Sequence, residues 1–228
     1  MYNRISFWSS ILIAGSIAFV AVPSMAQAEV IVSQRASTAQ VKRLLDEGNR
    51  RVRSRDYNGA IAIYQQAATL EPKNGSIYSG IGYIYAQQGN FSAAKIAYQR
   101  AVALSPNNAD YHYALGYISG NIGDNNSAKN AYRKAIQLDR NSVNAHLGLA
   151  AILLNLREYN NAKWAFEKAM QLDPRNAQAH ELRGTMFIKQ GRSREAIASL
   201  RKSLSLYESQ KKWEGVRRVD ALLRNLGT

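Results

Sequence analysis

The stretch "YNGAIAIYQQAATLEPKN", residues 57–74, reads as an amphipathic helix stopped by a proline turn. It returns as "FSAAKIAYQRAVALSPNN" at 91–108 and as "YNNAKWAFEKAMQLDPRN" at 159–176. Pro72, Pro106 and Pro174 set the phase. They stand 34 and then twice 34 residues apart, with Arg140 in the skipped place. Counting by this period gives repeats at 41–74, 75–108, 109–142, 143–176 and 177–210.

The frame holds at other positions. Its twentieth place is always alanine: Ala60, Ala94, Ala128, Ala162 and Ala196. Four residues on stand Tyr64, Tyr98, Tyr132, Phe166 and Leu200, and three further Ala67, Ala101, Ala135, Ala169 and Ser203. The eighth place is small throughout, as Gly48, Gly82, Gly116, Ala150 and Gly184. A break near the sixteenth place, marked by Asp56, Gly89-Asn90, Gly123-Asp124, Glu158 and Gly191, divides each repeat into two helices. Small residues let helices approach closely. One such hairpin cannot bury its apolar face alone, whereas stacked copies bury a continuous core.

Period and pattern resemble the tetratricopeptide repeat family over residues 41–210. The resemblance implies an all-α, right-handed α-solenoid of about five helix-turn-helix repeats. Three departures stand out. Arg140 replaces a proline, and Asn125 and Ser193 replace the aromatics Tyr57, Phe91 and Tyr159. Glu208 replaces the last proline, which predicts a fifth repeat frayed at its end.

Beyond the repeats, residues 211–228 carry an apolar stripe of Trp213, Val216, Val219, Leu222 and Leu223, as expected of a C-terminal capping helix. Residues 29–40 read as an unstructured leader or linker, with Ser37 or Thr38 capping the first helix. The N-terminus has the order of an export signal: Arg4, an apolar run from Ile5 to Val22, then Ala26-Gln27-Ala28. Residues 1–28 are therefore expected to be a signal peptide cleaved after Ala28, or after Ala26. The destination would be the periplasm or an equivalent extracytoplasmic space. The alternative is an inner-membrane anchor formed by residues 5–22, whose length is at the lower limit for spanning.

With no cysteine in the chain, disulfides, thiolate chemistry and Cys-type zinc sites are excluded. His112, His146 and His180 recur at the same place of successive repeats. Equivalent helices lie about 10 Å apart, too far for one metal ion to collect all three, so a packing role is expected. No nucleophile–base pair, phosphate loop or zinc-binding motif is present. Neither an enzyme nor a cofactor is expected.

Lys+Arg number 30 against 16 for Asp+Glu, a net charge of +14. The excess gathers at the basic ends: Arg50, Arg51, Arg53 and Arg55 in the first repeat, and Lys211, Lys212, Arg217 and Arg218 in the tail. They read either as a solvated face or as a contact for an anionic surface. With an export signal, lipid head groups, acidic polysaccharide or an acidic protein come before nucleic acid, and any membrane contact would be peripheral or through the uncleaved N-terminus. Trp164 should face outward from a second helix, as a second contact site or an isolated exposed apolar residue.

The family resemblance implies that first-helix side chains line a concave groove. Its carboxylate-gripping subclass needs Lys and Asn where this chain has Leu45 and Asn49, Asn where it has Gly80, and Lys and Arg where it has Asp110 and Ala114; Asn49 alone matches, so chaperone tails are not expected as ligands. The groove positions instead hold Tyr83, Gln87, Tyr113, Tyr117, Asn121, Leu147, Leu154, Asn155 and Ile188. Tyrosine offers broad apolar contact with a hydroxyl handle. The expected function is thus an exported scaffold that binds another protein or peptide segment in this groove. The alternative is a peripheral anchor held to anionic envelope surfaces by the basic ends.

Overall fold

The computed structural model describes residues 25–227, with side chains from residue 36 onward. Eleven helices and no strand occur among the described residues. Two compact units are distinguished, 1–39 and 40–228. Of the first, the described part (25–39) belongs to helix α1 (Met25–Arg53). The second holds the repeats, each a pair of helices. The first repeat pairs the C-terminal part of α1 with α2 (Tyr57–Leu70). The next are α3 (Gly75–Gln87) with α4 (Phe91–Leu104), and α5 (Ala109–Asn121) with α6 (Asn125–Leu138). Then come α7 (Val143–Asn155) with α8 (Tyr159–Leu172), α9 (Ala177–Lys189) with α10 (Ser193–Ser209), and finally α11 (Trp213–Arg224).

The leader expected at 29–40 is helical instead. No proline or glycine interrupts the chain between Met25 and Gly48, and Ala, Gln, Glu and Arg favour helix. Ser37 and Thr38 accordingly lie inside α1 and do not cap its start. The expected signal and anchor fall mainly on residues outside those described. No helix among the described residues is long and apolar enough to cross a membrane.

The recurring small and large residues form the buried spine. Ala60, Ala94, Ala128, Ala162 and Ala196 are all fully buried, and Tyr64, Tyr98, Tyr132, Phe166 and Leu200 are buried above them. The small residue at the eighth place of each repeat, glycine in all but the fourth, which has Ala150, makes room for that large side chain. A Cβ on Gly82 would stand 2.8 Å from the Tyr98 ring, and one on Gly116 2.9 Å from Tyr132.

Helix boundaries follow local chemistry. Asp56, Asn90 and Asp124 cap the second helices by accepting from the backbone N–H of Gly59, Ala93 and Ser127. Asn74, Asn108, Ser142 and Asn176 cap first helices in the same manner. Each first helix ends on a left-handed residue. Three are glycines (Gly89, Gly123 and Gly191), but Arg55 and Arg157 adopt φ of 62° and 59° at the equivalent places. Without a proline at 208, α10 does not fray; it runs on to Ser209, about a turn longer than its sister helices.

Tyr78 and two of the histidines tie down the turns. Tyr78 Oη donates to the Pro72 carbonyl at 3.2 Å, and His112 Nε2 and His146 Nε2 reach the carbonyls of Pro106 and Arg140 at 2.9 and 3.1 Å. Arg140 thus still presents the carbonyl its proline counterparts supply.

Ion pairs join neighbouring repeats. Lys95 Nζ meets Asp124 at 2.7 Å and Lys129 Nζ meets Glu158 at 2.8 Å. The next such pair is missing: Arg192 occupies the acidic place and binds Glu195, while Lys163 approaches Glu167 on its own helix at 3.9 Å.

Helix α11 covers the last repeat with Val219 and Leu223, both buried, while Val216 and Leu222 are partly so. Trp213, expected in this stripe, is instead 58% exposed, since it is the first residue of the helix. The cap is also held by a polar contact. Glu181 on α9 accepts from Arg218 Nε at 2.6 Å, from Arg218 Nη2 at 2.8 Å and from Tyr207 Oη at 2.8 Å.

Candidate binding groove

The first helices of the third, fourth and fifth repeats enclose a depression of about 430 Å³. Five expected groove residues meet there: Tyr113, Tyr117, Asn121, Leu147 and Asn155. Asn144, Gln178 and Tyr132 join them, together with the small Gly120, Gly148 and Ala151. Tyr132 belongs to a second helix, and its ring reaches the depression because Gly148 leaves space; a Cβ there would lie 2.4 Å from the ring. The Tyr113 and Tyr132 rings are tilted against each other with centroids 5.9 Å apart. Tyr117 is 50% exposed and free to meet a ligand.

No charged side chain lines this depression. Burial raises the pKa of Tyr113 and of Tyr132, and the neighbouring tyrosines add to the effect. The hydroxyls are therefore neutral donors at physiological pH. Asn121 is partly occupied, since its Nδ2 donates to the Tyr117 carbonyl at 2.9 Å. The arrangement offers apolar ring faces beside amide donors and acceptors, which suits a peptide backbone with apolar side chains.

Four expected groove residues lie elsewhere. Tyr83 and Gln87 are exposed on α3, outside the depression. Leu154 is buried in one cluster with Met186 of α9, and Ile188 packs partly buried against the cap cluster. Helix α7 is apolar around most of its circumference and α9 covers it, so its leucines form core. Leu147 is equally buried, beside Ala179 and Leu182, and contributes only to the floor. Asn144 and Gln178 were missed, although each occupies the second place of its repeat, a position the family pattern assigns to the groove.

The basic ends are less free than their sequence indicates. Arg51 is bound to Glu47 and Asp56, and Arg218 to Glu181. Arg50, Arg53, Arg55, Lys211, Lys212 and Arg217 are exposed.

A model described as the Cilia and flagella-associated protein 70 middle TPR-like domain matches residues 78–208, more than half of the chain. A second, described as Tetratricopeptide repeat, matches residues 45–109. A TPR repeat-containing protein of Picosynechococcus sp. is 39% identical over 51 residues, a match that takes in 22% of this chain and 13% of that protein. Among solved structures, MamA is similar at 24% identity and a TM-score of 0.68, over 77% of this chain and 96% of that one. YrrB, described as a TPR protein with an unusual peptide-binding site, is similar at 21% identity and a TM-score of 0.63, over 72% of this chain and 84% of that one. Repeat frame, helix-pair stack and matching models agree: the chain belongs to the tetratricopeptide repeat family.

Proposed function

We propose that the protein is an exported interaction scaffold whose groove, at the third to fifth repeats, holds a segment of another protein. The observation that carries the reading is the uncharged depression in which Tyr113, Tyr117 and Tyr132 stand beside Asn144, Asn155 and Gln178. Aromatic anchors commonly dominate interface energy, and the amides can pair with a peptide backbone. The peptide-binding description of YrrB agrees with this reading. Export rests on the N-terminal sequence, from the Ile5–Val22 run to Ala26-Gln27-Ala28.

The test places a photo-crosslinking amino acid at position 117 of the full chain in its native cell. The crosslinked segment is identified, and its affinity is then measured against Tyr117→Ala. This exposed side chain can be removed without opening the core. A loss of about tenfold or more at unchanged helix content supports the groove. Unchanged affinity would refute it. Sequencing of the mature N-terminus should give Glu29 or Gln27; a chain that keeps Met1 and stays in the cytosol would contradict export.

A further inference from the structure

We propose that the crevice around Trp164, built mainly from the second helices, is a separate interaction site that takes an acidic segment of another protein by one large apolar side chain. The crevice lies between α6, α7 and α8 and encloses about 580 Å³. Its apolar walls are Ile136, Trp164 and Leu172, and its rim carries Arg133, Arg140 and Lys168. Trp164 is 49% exposed. A smaller depression of about 190 Å³ shares Arg133, Ile136 and Trp164 with the crevice. The indole is thus a partition with room on both sides, able to meet an inserted side chain with either face.

The floor fixes the indole. His146 is 3% exposed and meets the Trp164 ring edge-on at 5.5 Å between centroids. Its Nε2 donates to the Arg140 carbonyl, which leaves Nδ1 as a buried acceptor without a partner.

Charge identifies the occupant. No carboxylate lines the crevice, and none of Arg133, Arg140 and Lys168 forms an ion pair. Lys168 only donates to Gln171 Oε1, at 3.0 Å. Glu158 is bonded to Lys129 at 2.8 Å and feels the Arg133 charge only at longer range, without an ion-pair contact. The equivalent crevices differ. Between the first two repeats Ile96 replaces the indole, and Arg100 is stacked over Tyr78 at 5.6 Å. Between the second and third, Asn130 replaces it, and of the two lysines there Lys95 is neutralised by Asp124 while Lys134 only donates to Gln137. Of these three crevices, the one at Trp164 alone joins an exposed indole to three cations that form no ion pair, and Trp, Tyr and Arg are the residues most enriched at binding hot spots. A second copy of this chain is a poor occupant, because its carboxylates never stand more than two together, at Asp46-Glu47.

The test uses the full chain and three short labelled peptides, read by fluorescence anisotropy. One has acidic residues around a central Leu-Phe pair. The second replaces that pair by Ser-Ser, and the third replaces the acids by lysine. The first should bind about tenfold or more tightly than the others. Trp164→Ala should weaken it about tenfold, and so should Arg133→Gln with Arg140→Gln and Lys168→Gln, which should also flatten its salt dependence. Tyr117→Ala in the groove should change nothing. All these side chains except that of Lys168 are exposed, and a circular-dichroism melt checks that each variant folds. Equal binding of the three peptides, or Trp164-independent binding, overturns the proposal. Two further results also overturn it: Trp164-dependent binding to phosphatidylglycerol vesicles without peptide binding, and a dimer that Trp164→Ala dissociates.

Discussion

Arg218→Ala should loosen the C-terminal cap more than any other single change at the basic ends. Glu181 is 8% exposed, and two of its three donors are guanidinium N–H groups at 2.6 and 2.8 Å. After the change its carboxylate keeps only Tyr207 Oη at 2.8 Å. Breaking a fully buried pair costs about 3–5 kcal/mol. The Arg218 side chain is 49% exposed, so water can replace part of what it gives, and a cost of about 2–3 kcal/mol is expected. At about 1.4 kcal/mol per tenfold, amide exchange in α11 should quicken about 30- to 150-fold. Hydrogen exchange read by mass spectrometry measures this helix by helix. Exchange in α3–α6 should not change, because each repeat touches chiefly its neighbours. Arg217→Ala, one residue away and unpaired, is the control. Equal exchange of α11 in wild type and Arg218→Ala would show that the apolar contacts of Val219 and Leu223 hold the cap alone.

Gly82→Ala should destabilise the protein although alanine is the better helix former. The added Cβ meets the Tyr98 ring at 2.8 Å, overpacking costs about 1–3 kcal/mol, and helix propensity returns about 1. A urea melt should show a net loss, and a gain would refute the close approach. Arg157→Gly should do the reverse. Its φ of 59° is strained for arginine, and relief should add about 0.5–1 kcal/mol, visible as a higher urea midpoint. Hydrogen bonds from Lys95 and then Ser127 hold the Asp124 carboxyl at about 2, below its ordinary 3.8. Its folded pKa is depressed, so its stabilisation is complete above about 4 and fades as pH falls towards 2. Asp124→Asn should flatten stability over that window, and an unchanged acid limb would refute the contribution.

The repeat frame was legible because it is written in residues whose size alone decides packing. Ala60 and its four counterparts are fully buried, as small residues must be where helices pack closely. Turn chemistry was equally plain from Asp56, Asn90 and Asp124. The groove was legible only in part. Leu154 and Tyr113 occupy places that family geometry assigns to the groove, yet α9 buries the first and leaves the second accessible. That difference depends on how successive repeats lean, which a single-repeat pattern does not carry. Glu181 was missed for a related reason. Its partners Tyr207 and Arg218 are 26 and 37 residues away, outside the period that organised the reading. Helix α1 was misjudged because the repeat frame begins at 41, although the residues before it favour helix.

The gap in the run of inter-repeat ion pairs bears on cooperativity. In a stack whose stability sums over units and interfaces, a boundary between folded and unfolded segments settles at the least coupled junction. Lys95–Asp124 and Lys129–Glu158 bind the second, third and fourth repeats into one block. Across the next junction Lys163 and Arg192 each turn to a partner within their own repeat. Beyond it, Glu181 ties α9, α10 and α11 to one another. The junction between α8 and α9 thus lacks the ion pair of the two junctions before it and is held chiefly by the apolar contacts of Met186 and Ala179, so the segments on its two sides are expected to open as separate blocks. Gln178 of α9 borders the groove from across that seam. A ligand lying over both sides would couple the two blocks, so groove occupancy should make the unfolding of the whole array more nearly all-or-none.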